Sequence, residues 1–266
     1  MIYIIGPRRS GTSLMRAILS THPDIDIPPN DYNLLNTYQI LFDSDKEKRQ
    51  ILYEEMIKDR ELKDWNLDHD KLRECLIENY KEPLVSVRNI LDNYFRNNNK
   101  VRAIKRPAWE YYIGLLEDLY PRSKYIYMAR NPNGIIASQK FYKRKEQWSD
   151  IETTIKKAKK VENSLKAILT YKKILDMEIF ILKYESLILN TDESIKRIYD
   201  FINVKPNKFK PNYDDIYIMG MDSSFSCKNA KSIYKSSLNK WKNVLSNEEI
   251  KEVNNNTQLY RKICRY

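Results

Sequence analysis

The chain has 266 residues, 42% of them hydrophobic and 12% aromatic. That excludes a disordered or fibrous polypeptide and leaves room for a large α/β core. Its 47 Lys and Arg against 36 Asp and Glu give a net charge of +11, a balance suited to nucleic acid, phosphorylated nucleotides or an anionic surface. Cys75, Cys227 and Cys264 lie far apart and the only histidines are His22 and His69. This pattern argues against a disulfide framework and a usual zinc site, and the expected setting is reducing and cytoplasmic. No apolar run approaches the roughly 20 residues that span a bilayer, and the run Met1–Ile5 is broken at once by Gly6-Pro7-Arg8-Arg9, unlike a secretion signal.

In chain order, the apolar run Met1–Ile5 predicts a strand. A glycine-containing turn follows, and then a helix from Thr12 to Leu19. Strand, loop and helix in this order open an α/β domain with a parallel sheet. Residues 43–99 read as amphipathic helices without a strand, a helical excursion beside the sheet. Val101–Lys105 is a weaker strand stopped near Pro107, and Trp109–Tyr120 reads as helical. Ser123–Ala129 is a strong strand ending at Arg130-Asn131-Pro132, where Pro132 suits the first turn of a helix. Ile151–Leu175 is a Lys-rich helix, and Glu178–Lys183 is another strand. Residues 203–237 read as a long loop of the kind that covers a site. Ser246 before Glu248 and Glu249 is a cap-like start to a last helical region. The expectation is a P-loop-type, three-layer α/β fold forming a single domain over residues 1–266, its central parallel sheet flanked by helices.

The chain has only 5 glycines and places two of them, Gly6 and Gly11, in Gly6-Pro7-Arg8-Arg9-Ser10-Gly11-Thr12-Ser13. Between a strand and a helix, such a loop turns backbone N–H groups toward an anion. Two parts of a nucleoside-triphosphate enzyme are missing. Thr12 stands where the phosphate-binding lysine belongs, and the strand ends carry Arg130 and Lys183 rather than a magnesium-binding acid. The loop therefore predicts phosphate binding with charge compensation by side chains instead of a metal. A kinase-like enzyme on the same fold is the nearest alternative. A basic nucleic-acid-binding protein is the other, but the 20 tyrosines are scattered and form no stacking motif with the basic residues.

The loop, followed by Thr21-His22-Pro23, closely resembles the opening of sulfotransferases that use 3′-phosphoadenosine 5′-phosphosulfate (PAPS). The Arg9-Ser10-Gly11-Thr12-Ser13 core resembles the branch that includes bacterial, tyrosylprotein and Golgi-type enzymes. Four later segments are similar to family motifs: Lys105-Arg106-Pro107, Arg130-Asn131-Pro132 with Ser138, Tyr184-Glu185-Ser186-Leu187, and Lys240-Trp241. The resemblance runs from the first strand to about Leu245. It implies in-line sulfuryl transfer from PAPS, without a metal, to a hydroxyl or amine. The implied acceptor is a small molecule, a carbohydrate or a lipid-linked sugar, with no nucleic-acid partner.

The resemblance also implies residue roles. Arg8, Arg9, Ser10, Gly11, Thr12 and Ser13 would cradle the 5′-phosphosulfate. Arg130 and Ser138 would hold the 3′-phosphate, where a guanidinium fork suits a phosphate dianion. Tyr184 would contact the nucleotide, Lys240 would reach the 3′-phosphate, and Lys105 would stabilise the transferring group. Ser226, or Ser224 if the alignment slips, would touch the sulfuryl group. Relatives often carry a glutamate base after the second strand, but here Asn30 stands in that place. Two roles fit the adjacent Asp31: the proton acceptor, or the cap of a helix starting at Tyr32. Tyr38, Trp65, Trp109, Tyr111 and Tyr112 fit either acceptor stacking or the core.

Overall fold

A computed structural model describes residues 1–97, 99–142, 151–206 and 235–266. Five strands, β1 (Ile2–Ile5), β2 (Ile25–Asp26), β3 (Val101–Lys105), β4 (Lys124–Ala129) and β5 (Glu178–Lys183), form one parallel sheet in the order β2-β3-β1-β4-β5. Helix α1 (Thr12–Leu19) follows β1 directly. Between β2 and β3 run α2 (Leu34–Phe42), α3 (Lys46–Lys58), α4 (Arg60–Lys63), α5 (His69–Arg73), a π-helical turn at Glu74–Glu78 and α6 (Pro83–Tyr94). Helices α3 to α6 fall within the 43–99 stretch, and α2 precedes it. Then come α7 (Ile113–Leu119) before β4, α8 (Pro132–Tyr142) and α9 (Ile151–Leu175) before β5, and α10 (Tyr184–Leu189) and α11 (Thr191–Ile202) after it. The chain closes with α12 (Asn247–Asn255) and α13 (Gln258–Cys264). Among the described residues, no helix is long and apolar enough to cross a membrane.

Strand alternation builds the two faces. Successive side chains of a strand point to opposite sides of the sheet. Ile2 and Ile4 of β1, with Ile126 and Met128 of β4, pack against Leu14 and Ile18 of α1 and Ile195 and Ile198 of α11. Tyr3 and Ile5, with Tyr125, Tyr127 and Ala129, face the larger cluster built by the excursion, α7, α9 and the C-terminal helices. Covering on both faces explains why β1 reads as a continuous apolar run. Tyr3 stacks on Tyr125 with ring centroids 5.4 Å apart.

One local expectation changes. Trp109–Tyr120 is not one helix: a 3-10 turn at Trp109–Tyr111 precedes α7, with a break at Tyr112. The turn is entered through Ala108 in the left-handed region, φ +68°, which interrupts a helix before it can propagate. Trp65 and Trp109 are core residues, 3% and 4% exposed, whereas Tyr111 and Tyr112 stand about two-fifths exposed at 41% and 42%. The Ser246 expectation holds: its hydroxyl accepts from the Glu249 amide while the Glu249 carboxylate accepts from the Ser246 amide, a reciprocal capping box on α12.

Candidate active site

The loop after β1 sits where β1 meets β3 on one side and β4 on the other. In open α/β sheets this switch in strand order, at the carboxyl ends of the strands, is the usual ligand crevice. Both loop glycines are sterically required. Gly6 has φ +136°, and a Cβ there would lie 2.6 Å from the Met128 carbonyl. Gly11 has φ +105°, and its Cβ would lie 2.6 Å from the Tyr184 ring. Gly11 is also the N-cap of α1, and no side chain caps that helix. The first-turn N–H groups of a helix have no partner within it. The Ser10 hydroxyl is fully buried without a hydrogen-bond partner. A buried orphan hydroxyl is costly, and an anion oxygen seated in the loop would satisfy it. The donor set therefore fits a phosphate.

Lys105 at the end of β3 is not an exposed strand-end lysine. It is 6% exposed, and its ammonium donates to the Ser13 hydroxyl at 3.1 Å and forms an ion pair with Asp31. Arg106 donates to the Asp31 carbonyl. Burial lowers the Lys105 pKa, and Asp31 opposes that shift. Burial likewise lowers that of Arg16, again opposed by Asp31. Asp31 is thus a carboxylate surrounded by Lys105, Arg106 and Arg16. It does not cap the following helix: α2 begins at Leu34 after Asn33, with no side-chain cap. Asn30 turns away and donates to the Asp64 carboxylate at 2.6 Å.

Arg130, at the end of β4, donates to the Arg9 carbonyl at 3.0 Å and the Ser237 carbonyl at 3.1 Å. Its guanidinium lies 4.3 Å over the Tyr184 ring, and the Tyr184 hydroxyl bonds Ser237 Oγ at 2.8 Å. Arg9 donates through Nε to Ser138 Oγ on α8 at 3.0 Å, and Gln139 donates to the Arg8 carbonyl at 3.0 Å. The two candidate 3′-phosphate residues, Arg130 and Ser138, therefore both touch Arg9 of the loop. Thr12 is buried at the start of α1. Lys240 is exposed on a 3-10 turn (Lys240–Asn243) that packs on α8, and the adjacent Trp241 packs against the larger core cluster. Ser224 and Ser226 lie outside the described residues, as does most of the predicted covering loop.

Sequence reasoning missed Glu110. Its carboxyl is 1% exposed beneath the phosphate loop. Ser164 donates to it at 2.5 Å and is itself bonded to the Tyr127 hydroxyl at 2.9 Å, while Glu110 Oε2 has no partner. Burial raises its pKa, against the opposing pull of Ser164 and the Gly6 and Ala108 amides. The same segment is tied to the loop by the Ala108 amide donating to the Gly6 carbonyl at 3.0 Å. No sequence signal marks Glu110, because its partner Ser164 comes from α9 and Gly6 from the loop after β1. His22 is structural, held by the Lys205 carbonyl at 3.0 Å and the Asp24 amide at 3.1 Å.

The computed fold is similar to that of the sulfotransferase domain from the curacin biosynthetic pathway, at 21% identity and a TM-score of 0.69, covering 100% of this chain and 97% of that one. It is also similar to the sulfotransferase domain of the Synechococcus PCC 7002 olefin synthase, at 16% identity and a TM-score of 0.64, covering 96% of this chain and 93% of that one. At these identities the likeness speaks for the fold. A comparison with curated protein sequences finds no match. The sulfotransferase family model matches residues 2–207, a span that holds the phosphate loop, Lys105, Arg130 and Tyr184. The chain belongs to the sulfotransferase family.

Proposed function

We propose that this sulfotransferase moves a sulfuryl group from PAPS to a hydroxyl or amine of a small-molecule, carbohydrate or lipid-linked acceptor, without a metal. The observation that carries the reading is the convergence of Lys105, Ser13 and Asp31 beside the phosphate loop. It sets a cation, a hydroxyl and a carboxylate at one point. PAPS supplies an activated sulfuryl group whose leaving group is the 5′-phosphate.

The loop amides and the Ser10 and Ser13 hydroxyls bind the 5′-phosphosulfate. Arg130 and Ser138 hold the 3′-phosphate, and Lys240, on the turn packed against α8, extends that contact. Lys105 neutralises the charge that grows on the bridging oxygen as the S–O bond to the 5′-phosphate breaks; preorganised cations at such a position act most strongly in the transition state. Asp31 takes the acceptor's proton as the new bond to sulfur forms. Lys105 and Asp31 hold each other before substrate arrives and separate to these two tasks afterwards. Ser226 remains a proposed contact to the sulfuryl group. A cavity of about 230 Å³, lined among others by Tyr32, Asn33, Asn36, Ile40 and Glu61, begins one residue beyond Asp31 and suits a small acceptor.

The test is transfer from PAPS labelled in the sulfuryl group, with EDTA present, to a panel of hydroxylated and amino small molecules. Labelled product and stoichiometric 3′,5′-phosphoadenosine (PAP) support the reading. Turnover only with magnesium and ATP would overturn it.

A further inference from the structure

The family match ends at residue 207, yet the last helix reaches under the proposed donor site. The backbone N–H of Arg130 donates to the Tyr260 hydroxyl at 3.0 Å, and Tyr260 is fully buried. The next amide, Asn131, donates to Glu185 Oε1 at 2.9 Å, while the Tyr266 hydroxyl donates to Glu185 Oε2 at 2.6 Å. Two consecutive amides at the end of β4 are thus gripped by one layer of side chains. That layer is itself anchored. Glu162 of α9 accepts from the Leu259 and Tyr260 amides at 3.2 and 2.9 Å, fixing the start of α13. The Tyr260 and Tyr266 rings stack with centroids 6.3 Å apart. Lys183 lies 4.6 Å over the Tyr266 ring and donates to the Arg265 carbonyl at 3.0 Å.

Arg130 links this layer to the ligand side, where its guanidinium spans the Arg9 carbonyl and the Tyr184 face. Shifting the backbone at residues 130–131 moves that guanidinium. A displacement of about 1 Å is enough to lose a charge-assisted bidentate contact, because such contacts need N···O distances near 2.7–2.9 Å.

We propose that Tyr260 and Tyr266, the latter through Glu185, are positioning residues that set Arg130 and so determine selectivity for a nucleotide carrying a 3′-phosphate. The inference rests on the reading of Arg130 as the 3′-phosphate ligand. It assigns to the C-terminal helix a role in donor choice, and none in the transfer step.

The experiment is calorimetric titration of the full chain with PAP and with adenosine 5′-phosphate, which lacks the 3′-phosphate. The wild-type protein, Tyr266→Phe, Tyr260→Phe and Arg130→Ala are each titrated, as is the double variant Arg130→Ala/Tyr266→Phe. Wild type is expected to prefer PAP by more than tenfold. Tyr266→Phe should weaken PAP three- to tenfold and leave adenosine 5′-phosphate within twofold. Tyr260→Phe should do the same more strongly, and if it fails to fold, Tyr266→Phe carries the test alone. In the Arg130→Ala background, Tyr266→Phe should have no further effect on PAP, since residues acting through one another are not additive. A parallel loss for both nucleotides, no loss for either, or full additivity with Arg130→Ala overturns the inference while leaving the reading of Arg130 as the 3′-phosphate ligand standing. A wild-type protein that does not distinguish the two nucleotides overturns the Arg130 reading, and the inference with it.

Discussion

Gly11→Ala adds one methyl group at a position where the structure has no room for it. The new Cβ would lie 2.6 Å from Tyr184 Cδ2 and 3.2 Å from Cε2, at a backbone φ of +105°. Holding a non-glycine residue in such a region costs about 1–3 kcal/mol. The ring must also move. Its displacement disturbs the Arg130 guanidinium 4.3 Å above it, a contact of about 0.5–1 kcal/mol. It also disturbs the 2.8 Å bond between Tyr184 and Ser237, about 0.5–1.5 kcal/mol. Together these amount to about 2–5.5 kcal/mol, or a melting temperature lower by about 4–22 °C. PAP affinity should fall more than tenfold, because the loop and Arg130 are displaced together. Gly114→Ala is the matched control: a Cβ there meets only Tyr171 Cε1 at 4.0 Å, inside α7, so it should stabilise the protein by about 0.5–1 kcal/mol. The assay is thermal unfolding and PAP calorimetry on both variants. If Gly11→Ala melts and binds like the wild type, the packing of Tyr184 against the loop is wrong.

Three further outcomes follow from the site. Asp31→Asn should lower turnover about 100- to 10,000-fold with PAP affinity unchanged; near-full turnover would remove Asp31 as the base. Lys105→Met should lower turnover about 100- to 1,000-fold by removing the cation at the bridging oxygen, and an unchanged rate would place that charge elsewhere. Glu110, raised by burial, binds its proton more tightly folded than unfolded. Its contribution to stability is therefore full below the unfolded carboxyl value and is lost as pH rises through the folded one. Glu110→Gln should flatten that decline and melt higher than wild type at pH 8; a steeper decline in the variant would contradict the raised pKa of the buried carboxyl.

Local chemistry made the phosphate loop legible: two glycines among very few, a strand before them and a helix after. The ends of β3 and β4 were legible for the same reason, as Pro107 and Pro132 punctuate them. Partnership across the sheet was not legible. Nothing near Asp31 in the sequence announces Lys105, 74 residues away, yet that pair replaces the helix cap that local reading also allowed. Glu110 and Tyr260 belong to no motif, because each is defined by groups that only the folded sheet brings together. The 3-10 turn at Trp109–Tyr111 escaped helical periodicity because one left-handed residue, Ala108, decides it.

The central claim is a donor site that binds a 3′,5′-bisphosphorylated adenosine through side-chain cations rather than a metal. Calorimetric titration with PAP in EDTA, against ATP with magnesium, tests it most directly. Tight metal-independent PAP binding that Arg130→Ala and Ser138→Ala each weaken is the predicted result. No PAP binding, or a preference for magnesium and ATP, would contradict it.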